Sequence, residues 1–119
     1  MSADEPTLLA GTLDLLVLRT LAWGPRHGYA VARWIKETSD ETIEVEDRAL
    51  YLSLHRLEAR GFVESSWGVT DANRRAKFYQ LTRAGQRKLR ANEESFTRYV
   101  DAVFKILRAR DASFAERRA

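Results

Sequence analysis

The spacing of the apolar residues changes twice in the second half of this 119-residue chain. Leu50, Leu54 and Leu57 fall at i, i+4 and i+7, a pattern that predicts a helix with one buried face. At Tyr79 and Leu81 the apolar residues alternate instead, which is typical of a strand. Further on they return to helical spacing. The sequence therefore predicts a helix, then strands, then another helix.

Local signals give these elements their bounds. The helix is expected from about Arg48 to Arg60, with Asp47 as its N-cap and Gly61 as the left-handed residue that ends it. Two strands are expected next, over 62–67 and 76–81, with a polar tip between them. These two strands are predicted to form a β-hairpin.

The last helix is expected to begin after the capping residue Thr82 and to run from Arg83 to about Arg108. At ~1.5 Å per residue it would be close to 40 Å long. Its apolar residues follow a spacing near 3.5, and they are Leu89, Phe96, Val100, Val103 and Leu107. Such a spacing is typical of a helix that packs along a partner helix.

The first half of the chain predicts two further helices. One runs from Leu8 to Ala22 and is apolar on two sides, so that a second subunit is expected to cover one of them. After a turn over 23–26, the other runs from about His27 to Thr38. In the acidic connection over 39–47, the alternation of Ile43 with Val45 suggests a short strand, and His27 is expected to cap or pack the second helix.

Three helices, a hairpin and a long helix are the layout of a winged helix-turn-helix, a mainly α fold with a two-stranded wing. We expect residues 8–82 to form the winged domain and residues 83–108 a dimerisation helix. Residues 1–7 and 109–119 are expected to be flexible termini.

The basic residues are concentrated in the centre of the chain. Residues 1–47 carry 4 Lys and Arg against 9 Asp and Glu, whereas residues 48–88 carry 9 against 3 and residues 89–119 carry 7 against 5. A local positive excess of this kind favours a polyanionic partner.

The predicted fold places this charge where a DNA-binding protein needs it. With the leucine stripe inward, the third helix presents its outer face, which consists of Arg48, Leu52, His55, Arg56 and Ala59 with Tyr51 at its flank. These residue types suit contacts to phosphates and base edges in the major groove. The hairpin adds Arg74, Arg75 and Lys77 for the DNA backbone. The candidate partner is therefore an operator in double-stranded DNA.

Several other classes of function are disfavoured. Cysteine is absent and the only histidines are His27 and His55, so no metal site, cofactor or catalytic constellation is expected and the chain is not expected to be an enzyme. The acidic cluster over 37–47 fits no calcium-loop pattern. The longest apolar run is too short and too charged to span a bilayer, and a soluble, cytoplasmic protein is expected.

The chain resembles the PadR family of transcriptional regulators over about residues 8–107. The matching segments are Leu9-Ala10-Gly11-Thr12-Leu13-Asp14, Leu16-Val17-Leu18, His27-Gly28-Tyr29, Leu50-Tyr51, Leu54-His55-Arg56-Leu57-Glu58, Gly61-Phe62-Val63-Glu64-Ser65, Trp67, Arg74-Arg75, Lys77-Phe78-Tyr79, Leu81-Thr82 and Gly85. The long last helix looks like that of the short-tailed branch of the family.

The resemblance implies a repressor that acts as a homodimer and is released by an effector, often an aromatic compound. The expected interface consists of Leu9, Leu13, Leu89, Phe96, Val100, Val103 and Leu107, and Phe96, Tyr99 and Phe104 are the candidate effector pocket. The recognition helix departs from the family pattern at Arg48, Ala49 and Leu52. The operator therefore cannot be borrowed from relatives.

The residues also leave open a function other than DNA binding. A winged helix can bind protein instead of nucleic acid, and the apolar Leu52 on the outer face and the acidic first third of the chain favour that interpretation. Salt separates the two functions, because only DNA binding through cations weakens steeply as salt rises.

Overall fold

The computed structural model describes residues 10–111. In this range the elements are α1 (Ala10–Thr20), a 3₁₀ turn (Leu21–Trp23), β1 (Arg26–His27), α2 (Gly28–Thr38), α3 (Asp47–Ala59), β2 (Val63–Val69), β3 (Arg75–Leu81) and α4 (Arg83–Arg108). The predicted winged architecture is confirmed.

The sheet has one strand more than predicted. Its order is β1-β3-β2 and both pairings are antiparallel. β1 consists of Arg26 and His27, which lie opposite Tyr79 and Phe78 of β3. The sequence predicted a turn and a helix start at these positions, because two residues are too few to show alternation.

The first helix is covered by its own chain more fully than expected. Helical geometry tightens to 3₁₀ after Thr20, whereas a continuous helix to Ala22 was predicted. Leu13, which was predicted to face a second subunit, is only 5% exposed in the single chain, and Leu15 and Leu18 on the other apolar side are 9% and 0% exposed. α1 packs against α2, α3 and α4, so that both of its apolar sides are largely buried without a partner.

The helix ends confirm most of the predicted caps. His27 caps α2, because its Nδ1 accepts a hydrogen bond from the Ala30 amide at 3.3 Å. Thr82 Oγ1 accepts from the Gly85 amide at 3.0 Å at the start of α4. Gly61 directly follows Arg60, the C-cap of α3, and has a φ of +78°, a conformation that residues with side chains rarely adopt. The prediction of Asp47 as N-cap was wrong by one residue: Glu46 occupies that position and its side chain makes no cap hydrogen bond.

The connection from α2 to α3 contains no strand, which corrects the prediction for Ile43 and Val45. Asp40 and Glu41 have φ values of +52° and +65°, so the chain turns sharply here instead of extending. Ile43 and Val45 are half-buried and pack on the core. The apolar alternation therefore reflects packing without strand pairing.

α4 has the predicted bounds, Arg83–Arg108, and at ~1.5 Å per residue it measures about 39 Å. Leu89 is buried in the core at 7% exposure. From residue 93 onward, every residue of α4 except Val100 and Val103 is exposed, and those two are half-buried. The second half of the helix thus extends beyond the winged domain and carries an uncovered apolar stripe.

Candidate nucleic-acid interface

The third helix has a buried face and an exposed face, as its sequence predicted. Leu50, Leu54 and Leu57 are at most 2% exposed and anchor α3 in the core. The other side leaves Arg48, Leu52, His55 and Ala59 exposed. Among residues 10–111, no carboxylate lies within ion-pair distance of Arg48. This face can therefore offer a cation, an imidazole and an apolar side chain to a ligand.

Tyr51 is held at the flank of this face by a glycine. A Cβ atom built on Gly28 would lie 2.9 Å from the Tyr51 Oη and 3.1 Å from its ring, too close for an ordinary contact. Glycine at this position thus lets the Tyr51 ring lie against the start of α2. The ring keeps 45% of its surface exposed, so it can still contact a ligand.

Arg56 is tied to the first helix. Its Nη2 donates to Asp14 Oδ1 at 2.7 Å, and its Nε donates to Asp14 Oδ2 at 3.3 Å. The fully buried Ser53 donates a second hydrogen bond to Oδ1. This hydrogen bonding to Asp14 raises the pKa of Arg56 above its ordinary value. The side chains of Arg56 and Asp14 are 36% and 15% exposed, so Arg56 can reach solvent with only part of its guanidinium.

The tip of the wing is a tight turn that displays Arg74. The Thr70 amide donates to the Arg74 carbonyl at 2.8 Å, and the Arg74 amide donates to Thr70 Oγ1 at 3.2 Å. Asn73 takes a φ of +60°, a conformation that asparagine tolerates better than most residues. The Arg74 side chain is exposed and, among the described residues, it forms no ion pair.

Lys77 occupies a different environment from Arg74. Its Nζ lies 3.9 Å from Glu58 of α3 and 5.8 Å from the centre of the Tyr79 ring. Glu58 also accepts a hydrogen bond from Ser65 of β2. Lys77 therefore helps to fix the wing on α3, and its role in phosphate binding stays a prediction.

Arg75 packs on an aromatic ring. Its guanidinium carbon lies 4.7 Å from the centre of the Trp67 ring on β2. Trp67 itself is 62% exposed. The wing thus combines a cation and a large apolar side chain at its surface.

The residues predicted for a dimer interface divide into two groups. Leu13 and Leu89 are 5% and 7% exposed, because the single chain already covers them. Phe96, Val100, Val103 and Leu107 form the open stripe on the second half of α4. Leu9 lies outside the described residues, as do most residues of the two predicted flexible termini.

The candidate effector pocket is only partly assembled. A groove of about 460 Å³ lies between α1 and α4, and it is lined by Gly11, Thr12, Leu15, Asn92, Ser95, Phe96 and Tyr99. Phe104 does not line this groove, and its ring lies 4.7 Å from the guanidinium carbon of Arg108. The structure therefore brings Phe96 and Tyr99 together but places Phe104 elsewhere.

Two further findings bear on the kind of site. Across residues 10–111, no group of three or more His, Cys, Asp or Glu side chains is arranged to hold a metal ion. None of the helices in that range is both long enough and apolar enough to cross a membrane.

The sequence did not lead us to assign a role to Asp14 or Trp67, two side chains that contribute to the surface formed by α3 and the wing. Asp14 is a single acid inside an apolar helix, and that isolation was the available signal of a buried partner. Trp67 was matched to a family pattern but was not assigned a role. Its exposure follows from the length of β2, which carries it beyond the core.

The sequence model described as the transcriptional regulator PadR-like family matches residues 17–91. A PadR family transcriptional regulator from Eggerthella lenta is 35% identical, with a TM-score of 0.68, and the match covers 84% of this chain and 85% of that one. A transcriptional regulator from Clostridium thermocellum is 25% identical, with a TM-score of 0.72 and coverage of 80% and 92%.

A third solved structure is that of Bacillus subtilis PadR in complex with operator DNA. It is 24% identical, has a TM-score of 0.59, and the match covers 66% of this chain and 45% of that one. At this identity the likeness shows a shared fold.

Proposed function

This chain belongs to the PadR-like family of transcriptional regulators, and on that premise we propose that it binds operator DNA as a homodimer and represses transcription. The observation that carries the proposal is the surface formed by the outer face of α3 and the wing. It presents Arg48, Tyr51, Leu52, His55, Arg74 and Arg75 to solvent. The chemistry of these exposed side chains also agrees better with a regulator than with an enzyme.

The two parts of this surface have different roles in the proposal. Arg48 and His55 on α3 contact base edges in the major groove, and Leu52 lies near a thymine methyl group. Tyr51 donates from its hydroxyl to a phosphate at the flank. Arg74 neutralises phosphates at the wing tip, with Arg75 and Lys77 nearby. Arg56 contributes through the part of its guanidinium that Asp14 leaves accessible.

Dimerisation supplies the second recognition helix that a two-fold operator requires. The open stripe on α4 supports it, because Phe96, Val100, Val103 and Leu107 repeat at the spacing of a helix seam. In the single chain Phe96 and Leu107 are exposed, and Val100 and Val103 are only half-buried. Exposed apolar stripes of this kind mark association surfaces. The protein is proposed to act in the cytoplasm, where its DNA target lies.

An aromatic effector is proposed to bind the groove between α1 and α4. Phe96 and Tyr99 line it, and a flat ligand can stack on their rings. The test is a titration of the protein–DNA complex with phenolic compounds. Tyr99→Ala should abolish release of the DNA, whereas Phe104→Ala, outside the groove, should leave it unchanged. Equal effects of the two variants would contradict the assignment.

DNA binding is tested with a labelled fragment that spans the region upstream of the protein's own gene, beside a scrambled duplex. We expect preferential binding of the upstream fragment. The logarithm of the binding constant should fall with the logarithm of salt at a slope of roughly −5, if about six cations of a dimer each neutralise a phosphate. Equal weak binding of both duplexes with little salt dependence would instead favour a protein-binding module, for which exposed Leu52 is the best support.

A further inference from the structure

The two arginines of α3 have different electrostatic surroundings. Arg48 is exposed and forms no ion pair with another residue in the range 10–111. Arg56 is half-buried and meets Asp14 of α1, with Nη2–Oδ1 at 2.7 Å and Nε–Oδ2 at 3.3 Å. The carboxylate of Asp14 therefore neutralises Arg56, whereas Arg48 keeps its full charge.

The contact with Asp14 engages only one edge of the Arg56 guanidinium. Nε and one N–H of Nη2 donate to the carboxylate. Across the described residues, Nη1 makes no hydrogen bond, and no side-chain nitrogen or oxygen atom that lacks a partner is buried. Nη1 is therefore accessible to solvent. Together with the second N–H of Nη2 it forms the other edge of the guanidinium, which offers two parallel donors in one plane.

This free edge borders the outer face of α3 and is held from behind. Arg56 follows Leu52 by four residues, so the two side chains are neighbours on the helix surface. The Arg56 side chain is 36% exposed, whereas that of Asp14 is only 15% exposed. The hydroxyl of fully buried Ser53 donates to Asp14 Oδ1 and fixes the carboxylate. The guanidinium is thus anchored on the core side and open on the outer side.

Two kinds of acceptor on DNA match a pair of parallel donors. One is the N7 and O6 of guanine in the major groove, and the other is a phosphate. The attraction to phosphate depends on net charge, whereas the fit to guanine depends on the direction of the donors. A carboxylate that neutralises the guanidinium and keeps one edge free therefore favours the base over the backbone.

We infer that Asp14 is a specificity-determining residue, which holds the free edge of Arg56 toward a guanine in the major groove and suppresses binding of Arg56 to phosphates of any sequence. The inference rests on the proposed function and extends the DNA-reading machinery to a residue of α1. Asp14 is a positioning residue, because it acts through Arg56 and does not itself contact DNA.

The first experiment identifies the guanine. Arg56→Lys keeps a cation beside Asp14 but lacks the planar pair of donors. Selection from randomised duplexes should give a guanine at one position of each half-site for the wild type and no preference there for Arg56→Lys. 7-Deazaguanine at that position removes N7 and keeps the base pair. The wild type should bind this duplex roughly tenfold more weakly, and Arg56→Lys should bind it as well as the guanine duplex.

The second experiment removes the charge of Asp14. Asp14→Asn keeps an oxygen that accepts from Ser53, but it leaves the charge of Arg56 uncompensated. Affinity for a scrambled duplex should rise roughly tenfold, the salt slope should steepen by about 1 per subunit, and the preference for guanine should fall. A contact with only a structural role would lower stability without raising affinity for scrambled DNA.

The chain offers a matched control for Asp14→Asn. Lys36 of α2 and Glu44 of the following connection form an ion pair of the same length, 2.7 Å. Glu44→Gln thus also removes one acid and frees one cation, yet it should leave the preference for guanine unchanged. The double variant Asp14→Asn with Arg56→Gln restores the net charge, so it should return the salt slope to the wild-type value without restoring the preference. Circular dichroism checks that each variant is folded.

The outcomes separate this inference from the function on which it rests. If the wild type selects no site, the proposed function fails and the inference fails with it. If the wild type selects a site and Arg56→Lys selects the same one, DNA binding stands and Arg56 does not read guanine. If Asp14→Asn leaves the affinity for scrambled DNA and the salt slope unchanged, Asp14 does not control specificity and the inference is overturned.

Discussion

Asp14 on α1 and Arg56 on α3 are joined by two hydrogen bonds, with Nη2–Oδ1 at 2.7 Å and Nε–Oδ2 at 3.3 Å. The same carboxylate accepts a hydrogen bond from the buried Ser53. Both partners on α3 lie one turn apart on the side that faces α1. Together with the buried leucines of α3, the contact therefore helps to fix the rotation of this helix about its axis, and with it the direction in which His55 and Leu52 point.

Asp14→Ala should lower the free energy of unfolding by about 1–2 kcal/mol, because it leaves the Ser53 hydroxyl without an acceptor in the core and removes the partner of Arg56. Urea unfolding followed by circular dichroism measures the change. The control is Glu37→Ala, whose ion pair with Arg33 joins two side chains that are 60–70% exposed and should contribute no more than about 0.5 kcal/mol. Equal losses in the two variants would contradict a structural role for the Asp14 contact.

His55→Ala should change the sequence preference more than the overall affinity. His55 lies on the exposed face of α3, which is proposed to read base edges, and it forms no ion pair with another described residue. Selection from a library of randomised duplexes shows the preferred site of each protein. An unchanged preferred site would remove His55 from base recognition.

Arg74→Ala should weaken binding to all duplexes by a similar factor and reduce the magnitude of the salt slope by about 1 per subunit. The reason is its exposed position at the wing tip, which suits a phosphate contact. Titrations at several salt concentrations measure both quantities. Arg98→Ala removes the same charge from the exposed second half of α4 and should leave the slope unchanged. A loss confined to one operator would show that Arg74 reads sequence.

Val100→Asp should convert the proposed dimer to a monomer, since a charge would lie unpaired at the centre of the proposed helix seam. Sedimentation velocity measures the change in mass. Ala102→Asp is the matched control, because Ala102 is exposed and lies on the far side of α4 from the apolar stripe. A dimer that persists in the Val100 variant would place the interface elsewhere.

Alkaline pH should destabilise the protein partly through Tyr79. Burial raises the pKa of the Tyr79 phenol, and the nearby charge of Glu58 raises it further. The unfolded chain then loses this proton at lower pH than the folded chain does. The resulting stabilisation is complete below about pH 10 and declines as the pH rises above that value. Tyr79→Phe should therefore show a shallower loss of stability in urea melts between about pH 9 and about pH 11, and parallel curves would contradict this.

Much of the fold could be predicted from local patterns. The leucine stripe of α3 and the cap at Thr82 each depend on residues within a few positions of one another, and both predictions are confirmed. β1 could not be found in this way. Its two residues form a strand only because β3 passes beside them, and a pairing partner more than fifty positions away leaves no local signal.

The candidate site was predictable as a surface but not residue by residue. The outer face of α3 follows from helical geometry once its leucines point inward. Whether a cation on that face is accessible depends on what packs beside it. Arg48 has no acidic partner among the described residues, whereas Arg56 meets Asp14 and Lys77 meets Glu58.

The sequence by itself determined the order of the four helices and the two wing strands, the buried face of α3 and the concentration of positive charge in the centre of the chain. These features follow from the spacing and identity of near neighbours. Only the tertiary structure decided which charges are available for a ligand, because Asp14 and Arg56 are 42 positions apart and meet only when α1 packs on α3. It likewise decided that α1 is largely covered by its own chain while the second half of α4 is not, since burial depends on all the elements that surround a helix.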